Sequence, residues 1–229
     1  MTQRVLEILI NAFWRILLPG IKVTLPLTFF SFALAFVISV VVALIQYADV
    51  KILKQICRFY IWFIRGTPLL VQLYVVYYGL PQVGILLDPV PAAILTFGFN
   101  EGAYMAESMR GALEAVPKGQ IEAGYCVGMN YLQIIRRIVL PQALRTAFPS
   151  LSNSLISMVK GTSMASVITI TEMFRQAQII NAIYYEPLWL YLEAAMFYLM
   201  FCSIITLVQR AGEKKLSTYG GVKKYVTES

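Results

Sequence analysis

Hydrophobic residues in this chain fall into runs too long for the interior of a small soluble domain. From Val23 to Ile45 there is no charged side chain, and that stretch alone exceeds the roughly 20 residues a helix needs to cross a bilayer. Comparable runs over about 59–82, 89–109, 147–170 and 187–208 predict four further crossings. Ahead of them, Arg4, Glu7, Asn11 and Arg15 recur every three or four positions among Val, Leu, Ile, Phe and Trp. That spacing predicts an amphipathic helix over residues 4–20, lying on the membrane surface. An acid inside the stretch and the lack of a small-residue cleavage site argue against a secretory leader. The expected fold class is therefore an all-α membrane protein: five transmembrane helices behind an N-terminal amphipathic helix, in a single transmembrane domain spanning 1–229.

Only one long polar interval separates these runs, at 112–145. Pro117 suits the first turn of a helix, where a missing N–H costs nothing, and Gly128 suits its stop. A second short helix is expected from Tyr131 to Val139, ended by Leu140-Pro141. Two short helices between two spans make a rigid knob, and a rigid knob outside the bilayer is a docking surface.

Composition narrows the class. Of 229 residues, 59% are hydrophobic and only 14% charged, and the mean hydropathy of +0.68 is that of a polytopic membrane protein. A net charge of +7 would point a soluble protein toward nucleic acid. Here it sets orientation instead, and no nucleic-acid partner is expected. With the knob in the cytoplasm, that side holds Lys51, Lys54, Arg58, Arg110, Lys118, Arg136, Arg137, Arg145, Arg210 and the tail lysines Lys214, Lys215, Lys223 and Lys224. The other side holds Arg4, Arg15, Lys22 and Arg175, so the N-terminus is expected outside and the C-terminus in the cytoplasm. Cys57, Cys126 and Cys202 lack disulfide or zinc spacing, and the sequence has no histidine, so no metal site is expected. No phosphate-binding loop of the Gly-x-x-x-x-Gly-Lys-Ser/Thr type is present, so the chain is not an enzyme that hydrolyses ATP by itself.

Polar residues inside the spans need a reason, since each ionisable group there costs roughly 2.5–3.5 kcal/mol on insertion scales. On the third span Asn100, Tyr104 and Glu107 share a face, with Glu101 at its edge. On the fourth, Asn153, Ser157, Lys160 and Met164 form one stripe. Lys160 and Glu101 either face a pathway or simply pair with each other. Arg65, in the interrupted stretch Arg65-Gly66-Thr67-Pro68, and Glu107 lie toward the span ends and read as structural or gating groups. Trp14, Trp62 and Trp189 read as interface anchors. Five spans are too few to enclose a solute path, which argues for two such chains around a shared axis, identical or paralogous.

The polar interval carries a longer pattern. Glu122-Ala123-Gly124, three residues, Gly128, nine residues, Ile138, one residue and Leu140-Pro141 resemble the cytoplasmic Glu-Ala-Ala coupling loop of bacterial ABC importer permeases. Gly124 stands where that pattern has a second alanine, which keeps the residue small and implies a slightly looser helix. Ile64-Arg65-Gly66-Thr67-Pro68-Leu69, Gly102-Ala103-Tyr104-Met105-Ala106-Glu107 with Arg110-Gly111, and Lys160-Gly161-Thr162-Ser163 narrow the resemblance to the polar amino acid importers of the histidine, glutamine, arginine and cystine type. The family usually has Lys-Asp-Thr-Ser at the last of these. Tyr77-Tyr78-Gly79-Leu80-Pro81-Gln82 and Asp88-Pro89 look most like cystine permeases.

The resemblance implies a type I ABC importer permease in the bacterial cell membrane, with Glu122, Ala123, Gly124, Gly128, Ile138, Leu140 and Pro141 in the loop that couples to an ATPase. It also implies a cytoplasmic ATPase dimer that holds ATP and magnesium, and an extracytoplasmic amino acid binding protein. A free amino acid is a zwitterion, so its pathway needs a cation and an acid or carbonyl. The candidates are Asn100, Glu101, Tyr104, Asn153, Ser157, Lys160, Thr162 and Ser163. The alternative is a gradient-driven secondary transporter with Lys160, Glu101 and Glu107 as its relay. An inverted repeat would favour that reading, and the sequence shows none.

Overall fold

The computed structural model describes residues 3–218, with side chains through 216. The tail lysines Lys223 and Lys224 lie outside the described residues. The ordered elements are helical throughout: α1 Gln3–Pro19, α2 Leu25–Tyr47, α3 Lys51–Arg65, α4 Leu69–Tyr74, α5 Pro89–Glu114, α6 Lys118–Cys126, α7 Tyr131–Ile134, α8 Leu140–Gly161, α9 Met173–Tyr184 and α10 Pro187–Thr218.

Three five-residue π-turns join them, at Gly20–Thr24, Val75–Gly79 and Ile135–Val139, and each is followed at once by Leu-Pro. The leucine N–H donates five residues back in every case: Leu25 to Gly20 O, Leu80 to Val75 O and Leu140 to Ile135 O. Proline lacks a donor and its ring presses on the carbonyl four residues earlier. Widening the preceding turn to i→i−5 bonding moves that carbonyl aside, so the chain continues helically through Pro26 and Pro141.

This device corrects two expectations. The amphipathic segment 4–20 is not set off from the first span: it runs through Pro19 and the π-turn into α2 as one helix of 45 residues, Gln3–Tyr47. Its apolar residues Ile8, Ala12, Ile16 and Leu17 pack against α9 and α10, while Arg4, Glu7, Asn11 and Arg15 stay exposed. Likewise the helix from Tyr131 does not end at Leu140-Pro141, because the turn Ile135–Val139 carries it into α8.

The second crossing is not straight. Between α3 and the stretch Leu69–Val83 the path bends by 101°. Pro68 is extended (φ −65°, ψ 136°), as a proline that opens a new helix must be when it cannot donate into the old one. The interval expected as a loop after Thr171 also contains α9, set 51° from the helix Tyr131–Ile168 across the break. Glu172 starts α9 by accepting from the Phe174 and Arg175 amides at 2.9 and 2.7 Å, and Tyr185 in the left-handed region ends it. Long helices Gln3–Tyr47 and α10 are each long and apolar enough to cross alone, and each bent pair reaches that length and apolarity when its two helices are taken together. α5 is the remaining long helix. Its 26 residues rise about 39 Å, enough to span the hydrocarbon of a bilayer.

α5 sits at the centre, lying against α2 along most of its length. Gly98 and Gly102 permit this: a Cβ would fall 2.6 Å from Leu34 Cδ2 at the first and 3.0 Å from Ile38 Cγ2 at the second. The α2–α5–α8 core runs through Ala35, Ala43, Met105, Met109, Ala143 and Leu151 and continues into the polar interval through Val116, Ile134, Ile135 and Val139. The knob is thus rooted in the membrane bundle's own core.

Candidate functional site

The knob is built from two reciprocal stops. Helix α6 ends in a Schellman motif: Gly128 has φ +78°, its N–H donates to Tyr125 O at 3.0 Å, and Met129 N–H reaches back to Gly124 O at 3.0 Å. Two residues later Asn130 opens α7 with a capping box, its Oδ1 accepting from Gln133 N and its N–H donating to Gln133 Oε1, both at 2.9 Å. Gly124 is buried, and a Cβ there would lie 2.9 Å from Ile134 Cγ1 and 3.2 Å from Ile138 Cδ1. The glycine therefore serves contact between α6 and α7, a tighter requirement than a loosened helix. Glu122, Ala123, Gly128 and Pro141 are exposed, while Ile138 and Leu140 are half-buried beneath them. Val127 and Leu132 stand out at 77% and 72% exposure, with Tyr125 and Tyr131 beside them. An exposed apolar tip on a stiff polar segment is a surface shaped for a protein partner.

The fourth-span stripe also holds as one face. Asn153, Ser157, Lys160 and Met164 are all exposed on this single chain. Asn153 Oδ1 accepts from Gln209 of α10 at 3.3 Å. Among the described residues the Lys160 ammonium forms no hydrogen bond or ion pair, and none links it to Glu101. Pairing as the reason for these two charges is thereby removed. Glu101 instead faces the Ser154 hydroxyl of α8, and Ser150 Oγ donates to Ser108 Oγ at 2.9 Å between the same two helices. Beside Lys160 a cavity of about 580 Å³ opens between α8, α9 and α10, lined by Ser163, Tyr191, Tyr198 and Cys202.

Other candidates are placed differently. Thr162 is fully buried and donates to Val159 O at 2.6 Å, and Ser163 donates to Lys160 O at 2.7 Å, so both close the end of α8. Asn100 is buried on α5, where its Nδ2 donates to Gln72 Oε1 at 3.0 Å. Gln72 Nε2 in turn donates to Ile64 O, Thr67 O and Thr67 Oγ1, binding the backbone freed at the 101° elbow. Arg65 lies over the ring of Tyr104, 5.1 Å from its centroid, which joins a gating candidate to a pathway candidate. Glu107 pairs with Arg110 at 3.2 Å, and Arg110 also forks onto Glu114 at 2.8 and 2.9 Å.

Two residues escaped the sequence reading. Gln72 was one polar side chain in the apolar run 69–80, and its task exists only because the helix breaks beside it. Glu172 is fully buried, caps α9 and accepts from the Tyr198 hydroxyl. Glutamate is not a favoured N-cap residue, so its position carried no local signal. No group of three His, Cys, Asp or Glu side chains able to hold a metal occurs among the described residues.

Known proteins share this arrangement. The family model of the binding-protein-dependent transport system inner membrane component matches residues 36–218. The L-cystine transport system permease protein TcyB of Bacillus subtilis (strain 168) is 43% identical over 210 residues, covering 91% of this chain and 90% of that protein. The nopaline transport system permease protein NocM of Agrobacterium fabrum (strain C58 / ATCC 33970) is 36% identical over 211 residues, 88% of this chain and 87% of the relative. A solved structure described as an amino acid ABC transporter with histidines superposes with a TM-score of 0.84 at 32% identity, over 94% of this chain and 100% of that one. These likenesses do not favour a gradient-driven transporter. The chain is an all-helical transport subunit of the inner membrane and belongs to the binding-protein-dependent transport system inner membrane component family.

Proposed function

We propose that this chain is the permease of a type I ABC importer for polar amino acids, with cystine as its substrate. The exposed, doubly capped knob Lys118–Ile134 carries this reading, because a segment so stiffly tied to the α2–α5–α8 core turns a partner's motion into motion of the bundle. Glu122, Ala123, Gly124 and Gly128 shape its docking side, while Ile138, Leu140 and Pro141 join it to α8. The partner is a cytoplasmic ATPase dimer, which holds ATP and magnesium. The basic residues flanking the knob support a cytoplasmic C-terminus and an external N-terminus.

The open polar face of α8 demands a neighbour. Hydrocarbon cannot satisfy Ser157 and Lys160, so that face meets a second permease copy or paralogue across a wet pathway. Lys160 offers a cation to the carboxylate of an amino acid, while Glu101 and Tyr104 line the α5 side of the same path. Asn100, Thr162 and Ser163 shape it indirectly, through the elbow and the end of α8. An extracytoplasmic binding protein delivers the amino acid, and the 43% identity to the L-cystine permease supports cystine.

Reconstitution tests this reading. Uptake of radiolabelled L-cystine into vesicles is expected to require ATP and the ATPase subunit and to persist when ion gradients are collapsed. Loss of uptake on collapsing the gradients with ATP intact overturns it.

A further inference from the structure

A second polar cavity, of about 300 Å³, lies apart from Lys160, where the end of α2, the start of α3 and the end of α5 meet. Its lining is almost entirely charged or amide: Gln46, Lys54, Arg58, Glu107, Arg110 and Glu114. Its volume is at the lower end of small-molecule pockets.

The bonds already made within it leave a definite remainder. Lys54 is held by Asp49. Arg110 is shared by Glu107 and Glu114, so two carboxylates face one guanidinium and one negative charge is left over. Arg58 forms no hydrogen bond or close ion pair among the described residues and acts on the same Asp49 only at longer range, so two cations share one carboxylate and one positive charge is left opposite. Gln46 is 7% exposed and its Nε2 is buried without a partner, a donor with nothing to donate to. An unmet buried donor costs about 1–3 kcal/mol, and a well-placed acceptor removes that cost. The remainder is therefore donors on one wall, Arg58 and Gln46, and excess acceptor charge on the other, Glu107 with Glu114. A simple anion meets only the first wall and is repelled by the second. A simple cation has the reverse difficulty.

We propose that this cavity binds a zwitterion, its oxyanion on Arg58 and Gln46 and its ammonium on Glu107 and Glu114. Such a group is supplied by a free amino acid on the coupling-loop side or by the head of an aminophospholipid. Glu114 is followed within a few residues by α6, so the occupant ties the α2–α3 corner to α5 at the root of the knob. The inference does not depend on which amino acid crosses the bilayer.

The test uses the permease assembled with its ATPase in nanodiscs of phosphatidylglycerol alone, with no binding protein. Binding of radiolabelled L-cystine and L-glutamine is measured for the wild type, Arg58→Gln, Gln46→Leu and Glu107→Gln, each first shown to co-elute with the ATPase. Saturable binding of either amino acid, weakened roughly tenfold or more in all three variants, supports the site with a free amino acid as ligand. If neither amino acid binds in that way, phosphatidylethanolamine is added to the discs. Retention of that lipid by the wild type in native mass spectrometry, lost in Arg58→Gln, supports the same chemistry with lipid as its source. Equal behaviour of wild type and variants in both arms overturns the inference. So does inorganic phosphate competing as well as the amino acids, since that describes an oxyanion site without an ammonium wall. Failure of L-cystine uptake with L-glutamine binding intact counts against the transport reading alone.

Discussion

Asn100 Nδ2 donates to Gln72 Oε1 at 3.0 Å, and the same Gln72 spends its amide hydrogens on Ile64 O and on Thr67. A buried polar residue at the centre of α5 thereby props open a break in a neighbouring helix. Intramembrane backbone that leaves a helix must find donors from protein, since lipid offers none. Asn100 has that structural task whether or not solute passes close to it.

Removing the prop tests its weight. Gln72→Leu leaves the Ile64 and Thr67 carbonyls and Asn100 without their partner and is expected to destabilise by about 1–3 kcal/mol. Asn100→Leu removes one bond only and costs less. Thermal melting of the purified permease in detergent checks the order, and a larger loss for Asn100→Leu contradicts it.

Gly128 tests the knob through its backbone. An added Cβ meets nothing within 4 Å, so only φ +78° restricts the position. Gly128→Ala is expected to cost about 1–2 kcal/mol of local strain and to weaken coupling. Gly128→Asn, which tolerates the left-handed region, is expected to retain most of it. Co-purification with the ATPase and transport-coupled ATP hydrolysis measure both. Full coupling in Gly128→Ala argues against a stiffness requirement.

At Gly124 the restriction is space. Gly124→Val pushes a branched Cβ toward Ile134, already 2.9 Å from an alanine's Cβ, and overpacking of this kind costs about 1–3 kcal/mol. Membrane insertion is expected to be normal while ATPase docking falls. An unchanged docking affinity sinks the prediction.

Lys160 has no ion pair to lose, so Lys160→Met is expected to leave assembly with the ATPase intact and to lower uptake roughly tenfold or more, the loss of one charge-assisted bond to substrate. Size-exclusion elution and vesicle uptake separate the two. Failure of assembly before transport assigns the lysine a structural role.

Much of this was written locally. The long apolar runs, the third- and fourth-span polar faces, the glycine stop at Gly128 and the two short helices of the polar interval were all legible, because helical period, caps and length are short-range properties of the chain. The three Leu-Pro pairs were visible too, but their meaning was not. Proline alone reads as a stop, and a π-turn rescues it only where flanking helices gain more from continuing, as α1 does against α9 and α10.

By itself the sequence determined that this is a helical membrane protein with one stiff polar segment between its apolar runs and costly ionisable groups inside them. The tertiary structure alone decided that α1 and α2 are one helix, that Lys160 and Glu101 do not meet, and that Gln72 and Glu172 are structural keystones. The division has a physical cause. Burial and periodicity depend on neighbours three or four residues away, whereas the partner of a buried polar group is whatever the fold brings near, here 28 residues away for Asn100 and 26 for Glu172.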